Sequence, residues 1–225
     1  MLILDDPTIS DIDKQKVFET IGYSDSSVVP PRVSALVEEF AENSVDFLDP
    51  SYSYIIKDIQ SVQGKHVTIE DSITFHSQTV ARVLEQCQKV AIFALTIGDG
   101  LESIVAGLAA DGSMVKASVL DAIASHAAEN LAGLVDDRIS EEMRNQGLAT
   151  SRRFSPGYCD WDVSQQEMVF KALEGNSTGI NLTEDYLMLP RKSISGIIGI
   201  GDDSSNVDTY NPCRTCLRDC LTRRV

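Results

Sequence analysis

Apolar positions along the chain change their period several times, and each change predicts an element. Val17 and Ile21 stand one helical turn apart, behind Asp13 as a good N-cap and ahead of Gly22 as a good stop, which predicts a short helix. The first twelve residues predict an extended lead-in. Pro30-Pro31 punctuate the chain before Val33, Leu36, Val37, Phe40, Val45 and Leu48, which recur at roughly helical spacing. Tyr52, Tyr54 and Ile56 alternate as in a half-buried strand, and residues 67–69 and 73–75 predict two more short strands. Residues 77–86 read as a helix carrying Val80, Val83 and Leu84. The run 90–97 is apolar without interruption and is bounded by Gly98, the pattern of a strand covered on both faces.

The longest helical pattern follows, over 114–146, with no proline and Gly133 as its one internal glycine. Leu120, Ile123, Ala127, Leu131 and Leu134 form one apolar stripe on it. Ser118, Ala122, Ser125, Glu129 and Ala132 form a second stripe, four small residues around one carboxylate. Two assignments are open for this face: tight helix–sheet packing with Glu129 at its rim, or a ligand face on which Glu129 meets a cation. Residues 152–161 are irregular. Ser164 and Glu167 make a capping-box pattern before a helix with Val169, Phe170 and Leu173, with Gly175 placed to end it. Residues 187–190 and 194–200 are strand-like, and from Gly201 the chain turns polar and acidic, then basic and cysteine-rich. The mixed order of strands and helices predicts a single α+β domain over 1–225, with a cysteine-rich tail at about 201–225.

Charge narrows the possible partners. Asp and Glu number 34 against 19 Lys and Arg in 225 residues, a net charge of −15. That balance excludes a nucleic-acid module and disfavours an anionic membrane surface. Hydrophobic residues make up 43%, enough for a real core, and no apolar run is long enough to predict a membrane span. The acidic start at Asp5 and Asp6 does not read as a signal peptide, and the five cysteines are an odd set with three of them in the last thirteen residues. A reduced, cytoplasmic protein is expected.

Candidate chemistry centres on Arg153-Phe-Ser-Pro-Gly-Tyr158. Pro156 sets φ and Gly157 permits a positive φ, so a tight turn is expected that projects backbone groups outward. Arg153 supplies a forked donor for a carboxylate or phosphate, and Tyr158 and Trp161 stand where they would cover a sugar or an aromatic group. This segment resembles the R-x-[AS]-P-G-Y signature of the activation domain of cobalamin-dependent methionine synthase. Leu182-Thr-Glu-Asp-Tyr-Leu-Met188-x-Pro190-x-x-Ser193-Ile-Ser-Gly196 is similar to a second segment of that domain, and Ala128-Glu129-x-x-Ala132 with Arg138 beyond, on the long helix upstream, is a third match. The likeness covers about 115–200. It implies a twisted, mostly antiparallel sheet flanked by helices, S-adenosylmethionine (SAM) as ligand, and a role in reactivating cobalamin held on a partner protein.

Carried onto this sequence, the resemblance implies that Arg153 pairs with the methionine carboxylate of SAM. Ser155, Gly157 and Tyr158 would contact the ligand along the turn, and Glu129 would face its cationic end. Asp99 is the nearest counterpart of the family's N-terminal acidic contact, and Tyr210 of an aromatic contact beyond Gly196. The length is that of a stand-alone reactivation unit in a split methionine synthase. The partner would be a corrinoid-binding methyltransferase subunit, with a flavodoxin or ferredoxin as reductant. The alternative is a non-catalytic SAM sensor or corrinoid-protein escort.

Cys213-x2-Cys216-x3-Cys220 gathers three thiols, with Cys159 beside the turn as a possible fourth. A flexible reduced tail, a zinc or iron–sulfur site, and thiol redox chemistry all fit that spacing. Cys87 fits packing, and His66, His76 and His126 show no metal spacing.

Overall fold

The computed structural model describes residues 12–24, 28–173, 178–202, 207 and 210–216. Two helices lead, α1 (Lys14–Thr20) and α2 (Pro31–Asn43). Strands β1 (Ser51–Gln63), β2 (His66–Ile69) and β3 (Ile73–His76) follow, then α3 (Gln78–Val83), β4 (Lys89–Thr96), α4 (Gly100–Ala110) and α5 (Met114–Arg144). The second half holds β5 (Leu148–Thr150), α6 (Gln166–Ala172), β6 (Asn181–Leu182), β7 (Met188–Leu189), β8 (Ser193–Asp202) and α7 (Pro212–Thr215). Six strands form one sheet in the order β3-β2-β1-β4-β8-β5, every pair antiparallel, and β6 pairs with β7 apart from it. The α+β class, the antiparallel sheet and the long helix are as the sequence predicts.

The apolar run of β4 is explained by cover on both faces. Ala91, Phe93 and Leu95 pack into a core with α1, α2 and α5, while Val90, Ile92 and Ala94 pack into a second core with α3, α6 and the irregular segment. Successive side chains of a strand point to opposite faces, so a strand sandwiched this way has no polar position to spend on solvent. Each fully buried large aliphatic contributes about 1.5–3 kcal/mol, and Ile92 and Leu95 are both at 0% exposure.

Helix α5 spans about 46 Å at 1.5 Å per residue and lies along the first core through Val119, Leu120, Ile123, Ala127, Leu131, Val135 and Ile139. Ala122, Ala124, Ala128 and Ala132 are also buried, and their small side chains bring the helix backbone close to its neighbours. Leu134, expected on the apolar stripe, is 46% exposed, because the buried face passes from Leu131 to Val135 at the four-residue step.

Several boundaries differ from the pattern-based expectation. Helix α4 has no counterpart there, since Leu101 is its one buried side chain and its other apolar residues lean on α5 part-exposed. The three-residue strand β5 is too short to carry a period. Helix α6 starts two residues after the expected cap: Asp162 accepts from the Ser164 amide and opens a 3-10 turn over Val163–Gln165 that leads into it. The expected strand at 187–190 is just β7. Expectations for residues 1–11, for Gly175 and for Cys220 lie outside the described residues.

Candidate functional site

Beyond β5 the chain continues along the edge of β8. The Ser151 amide donates to the Gly199 carbonyl at 2.8 Å, and the Gly199 amide donates back to the Ser151 Oγ at 2.8 Å. Phe154 and Ile197 then exchange both backbone hydrogen bonds at 2.9 Å. Residue 196 must be glycine for this approach: a Cβ there would lie 2.6 Å from the Phe154 carbonyl oxygen and 2.9 Å from the Ser155 Oγ. Past this bridge the chain turns. The Tyr158 amide donates to Ser155 O at 3.3 Å, the Gly157 amide to Trp161 O at 2.7 Å and the Trp161 amide to Tyr158 O at 3.0 Å. Gly157 takes φ 92, the left-handed region that glycine enters without strain.

Adjacent residues of this edge serve opposite sides. Phe154 enters the second core, stacked on Trp161 with ring centroids 5.8 Å apart. Trp161 is wholly buried and also meets Phe75 edge-on, so it anchors the turn from beneath and does not cover a ligand, contrary to expectation. Arg153 reaches α5, where its Nη2 donates to Glu129 Oε2 at 2.6 Å. Its side chain is 14% exposed, and its Nη1 is buried with no hydrogen-bond partner among the described residues. One arm of the guanidinium fork is thus engaged and the other is open.

Asp160 locks the turn to the rest of the fold. Its carboxylate accepts from the Ser77 hydroxyl at 2.7 Å and from the amides of Gln78 and Thr79 at 2.6 and 3.1 Å, capping α3 from outside. Burial opposes its charge, but hydrogen bonds from Thr79, Ser77 and the Gln78 amide outweigh that and hold its pKa down at about 2.

These elements enclose a cleft of about 740 Å³. Glu129, Arg153, Ser155, Gly157 and Tyr158 all line it, and Tyr158 presents a side chain 42% exposed. Ser193 and Ser195 of β8 and Gln166 of α6 contribute polar groups, with the Ser195 hydroxyl donating to Gln166 Oε1 at 2.5 Å and Gln166 Nε2 donating to Tyr186 O at 2.9 Å. Tyr210 and Cys213 form a further wall. Asp136 lines the cleft as well. It lies seven residues past Glu129, two turns on along α5, so continuing the small-residue stripe by one more four-residue step would have found it.

Two sequence-derived candidates fall elsewhere. Asp99 is exposed at the start of α4 and is not among the cleft residues. Arg138 serves a different cluster, beside the Tyr54 hydroxyl, which donates to Glu142 Oε2 at 2.5 Å; burial first and Glu142 second push the Tyr54 pKa up to about 12. Ser125 accepts from Lys192 Nζ at 2.8 Å, so part of the small-residue stripe is occupied by a cation of the chain itself. Among the described residues no three His, Cys, Asp or Glu side chains are placed to share a metal ion, and no helix is long and apolar enough to cross a membrane.

A model of the family described as vitamin B12 dependent methionine synthase, activation domain, matches residues 57–223. No curated protein matches the sequence. Among solved structures, the chain is similar to a crystal structure of the MetH reactivation domain bound to AdoHcy, at 17% identity and a TM-score of 0.62, over 89% of this chain and 75% of that one. The family match spans the sheet from within β1 to the end of β8, the long helix and every wall of the cleft. This chain belongs to the family of the vitamin B12 dependent methionine synthase activation domain.

Proposed function

We propose that the cleft binds SAM and its demethylated product AdoHcy, and that the protein supports reductive methylation of cob(II)alamin carried by a corrinoid-binding methyltransferase subunit. The observation that carries this reading is the Arg153–Glu129 pair at the mouth of the turn, with its open guanidinium arm. The amino-acid end of SAM is a zwitterion. Its carboxylate matches the Arg153 fork and its ammonium or sulfonium matches Glu129, so the ligand exchanges one internal ion pair for two external ones and leaves neither charge stranded. The volume suits a ligand of this size, since such sites run from about 300 to 1,000 Å³. In this reading Ser155, Gly157 and Tyr158 contact the ligand along the turn and Tyr210 from the C-terminal wall, which their shared place in the cleft lining supports.

SAM supplies the methyl group when bound. The chain's own contribution is to fix the orientation of that group and exclude water from the cleft while a corrinoid approaches. The corrinoid protein and the reductant, a flavodoxin or ferredoxin, are separate partners in this reading. With −15 of net charge, docking of an acidic reductant requires a local basic patch.

Calorimetric titration with AdoHcy tests the site. Arg153→Ala is expected to weaken binding by about 1.5–3 kcal/mol, the loss of a charge-assisted bidentate contact, roughly 10- to 150-fold. Unchanged affinity in a folded variant removes Arg153 from the site. Loss of the cob(II)alamin absorption band with SAM, reductant and a corrinoid partner tests the reaction. Binding without that change leaves a SAM sensor or corrinoid-protein escort.

A further inference from the structure

The cleft crosses the edge of the sheet at β8. Ile194, Ile198 and Ile200 point to the first core and Ile197 to the second, so strand alternation places Ser193 and Ser195 on the second-core side, where α6 packs. Phe154 pairs with Ile197, and continuing that antiparallel register sets Pro156 opposite Ser195. Arg153 reaches the other way, to α5 on the first-core side. The lining therefore runs from the Arg153–Glu129 pair, along the turn, to Ser195 and Gln166 on the far side of the sheet edge.

Gln166 is 5% exposed, and its amide is held at both ends. The Ser195 hydroxyl donates to Oε1 at 2.5 Å, and Nε2 donates to the Tyr186 carbonyl at 2.9 Å. A carbonyl can only accept, so turning the amide over would set two acceptor oxygens against each other at Tyr186; this fixes the orientation of the amide. Tyr186 takes φ 61, a region that bulky side chains rarely enter. A local turn keeps it there, with the Tyr186 amide donating to Thr183 O at 3.0 Å and the Thr183 amide to Leu187 O at 2.9 Å. The fold thus holds a strained residue where its carbonyl meets Gln166. A primary amide has two N–H donors and two oxygen lone pairs, so beyond these two bonds Gln166 carries one further donor beside one further acceptor.

We infer that Gln166 reads the base of the ligand: its second Nε2–H donates to a ring nitrogen of adenine while Oε1 accepts from the 6-amino group. This rests on the SAM reading above and names the residue that makes the cleft selective for a 6-aminopurine. Adenine sets an amino donor beside an acceptor nitrogen, the pattern that a glutamine amide matches in a bidentate pair. Hypoxanthine carries a carbonyl oxygen in place of the amino group. That oxygen meets Oε1, acceptor against acceptor, and the locked amide cannot turn over to suit it. With the amino-acid end at Arg153 and Glu129 and the base at Gln166, the ligand is gripped from opposite sides of the sheet edge, which fixes where the sulfur between them lies.

The test compares AdoHcy with S-inosyl-homocysteine, the same molecule with hypoxanthine as its base, by calorimetric titration of the full-length chain. The parent is expected to bind AdoHcy about tenfold or more tightly than the inosyl analogue, because the analogue opposes two buried acceptors. Gln166→Met keeps the length of the side chain and removes both polar atoms. It is expected to bring the two ligands within about twofold of each other, by loss of AdoHcy affinity. Ser195→Ala removes one of the two clamps and is expected to lower the same ratio about threefold; it takes the place of Gln166→Met if that variant does not fold. A purely structural role for Gln166 weakens both ligands by the same factor and leaves the ratio at its parent value, which overturns the proposal. A parent that binds the two ligands within about twofold of each other also overturns it, with no variant needed. In both cases AdoHcy still binds and the SAM reading stands. A folded parent that does not bind AdoHcy overturns the SAM reading and this proposal with it.

Discussion

Gly196→Ala tests whether the sheet edge builds the site. The added Cβ lies 2.6 Å from the Phe154 carbonyl oxygen, 2.9 Å from the Ser155 Oγ and 3.1 Å from Phe93 Cζ. Ordinary contact begins at 3.4 Å, and the nearest atom is backbone, so relief requires the 154–155 segment to move outward by about 0.8 Å. That shift carries the two 2.9 Å hydrogen bonds between Phe154 and Ile197 to about 3.7 Å, past the range in which such bonds count. Either the strain stays, at about 1–3 kcal/mol, or the two bonds go, at about 0.5–1.5 kcal/mol each. These are alternatives and are not added. Alanine recovers up to about 1 kcal/mol of unfolded-chain entropy, so the expected net loss is about 1–2 kcal/mol. Urea denaturation reads that as a lower midpoint at unchanged slope. Because Arg153 and Ser155 ride on the displaced segment, AdoHcy affinity is expected to fall about tenfold or more as well, since a misplacement near 1 Å is enough to disable a preorganised site. An unchanged midpoint with affinity within about twofold of the parent would refute the proposed coupling between strand β8 and the turn.

Gly133→Ala is the matched control: the position is helical, nothing lies within 4 Å of its Cβ and it carries no positive φ, so the change is expected to raise stability by about 0.5–1 kcal/mol in the same denaturation assay. Asp160 titrates at about 2 in the fold against an ordinary 3.8. Its lowered pKa gives stability that is fully present above pH 4 and is lost as pH falls toward 2. The carboxylate is solvent-exposed, so screening cuts the contribution to about 1 kcal/mol. Asp160→Asn is expected to be less stable by that amount near pH 6, with the gap closing by pH 2.5. A constant gap across that range excludes Asp160 as its source.

Much of the scaffold was legible along the chain because its physics is local or periodic. The 90–97 run announced a strand covered on both faces, and β4 has a core on each side. The 114–146 pattern announced α5 to within two residues. Helix α4 escaped notice because one buried leucine sets no period, and β5 because three residues cannot. Within the site, Arg153, Ser155, Gly157 and Tyr158 could be named together because one turn carries them, and Glu129 because a single carboxylate interrupts a stripe of small residues. Asp136 was readable by the same spacing and was passed over.

Other features depend on contacts between segments that no local pattern encodes. Whether Trp161 covers a ligand or fills a core depends on Phe154 and Phe75, which come from different parts of the chain. Asp99 and Asp136 are both acidic residues with helix α4 or α5 around them, and position relative to the cleft alone separates them. Residue type and spacing thus specified the elements and the chemistry each could offer, because helix period, strand alternation and turn preference act over a few neighbours. Which groups share one cavity followed from antiparallel pairing along β8 and the packing of α5, since close approach between distant residues is won by burial and hydrogen bonding across the whole fold.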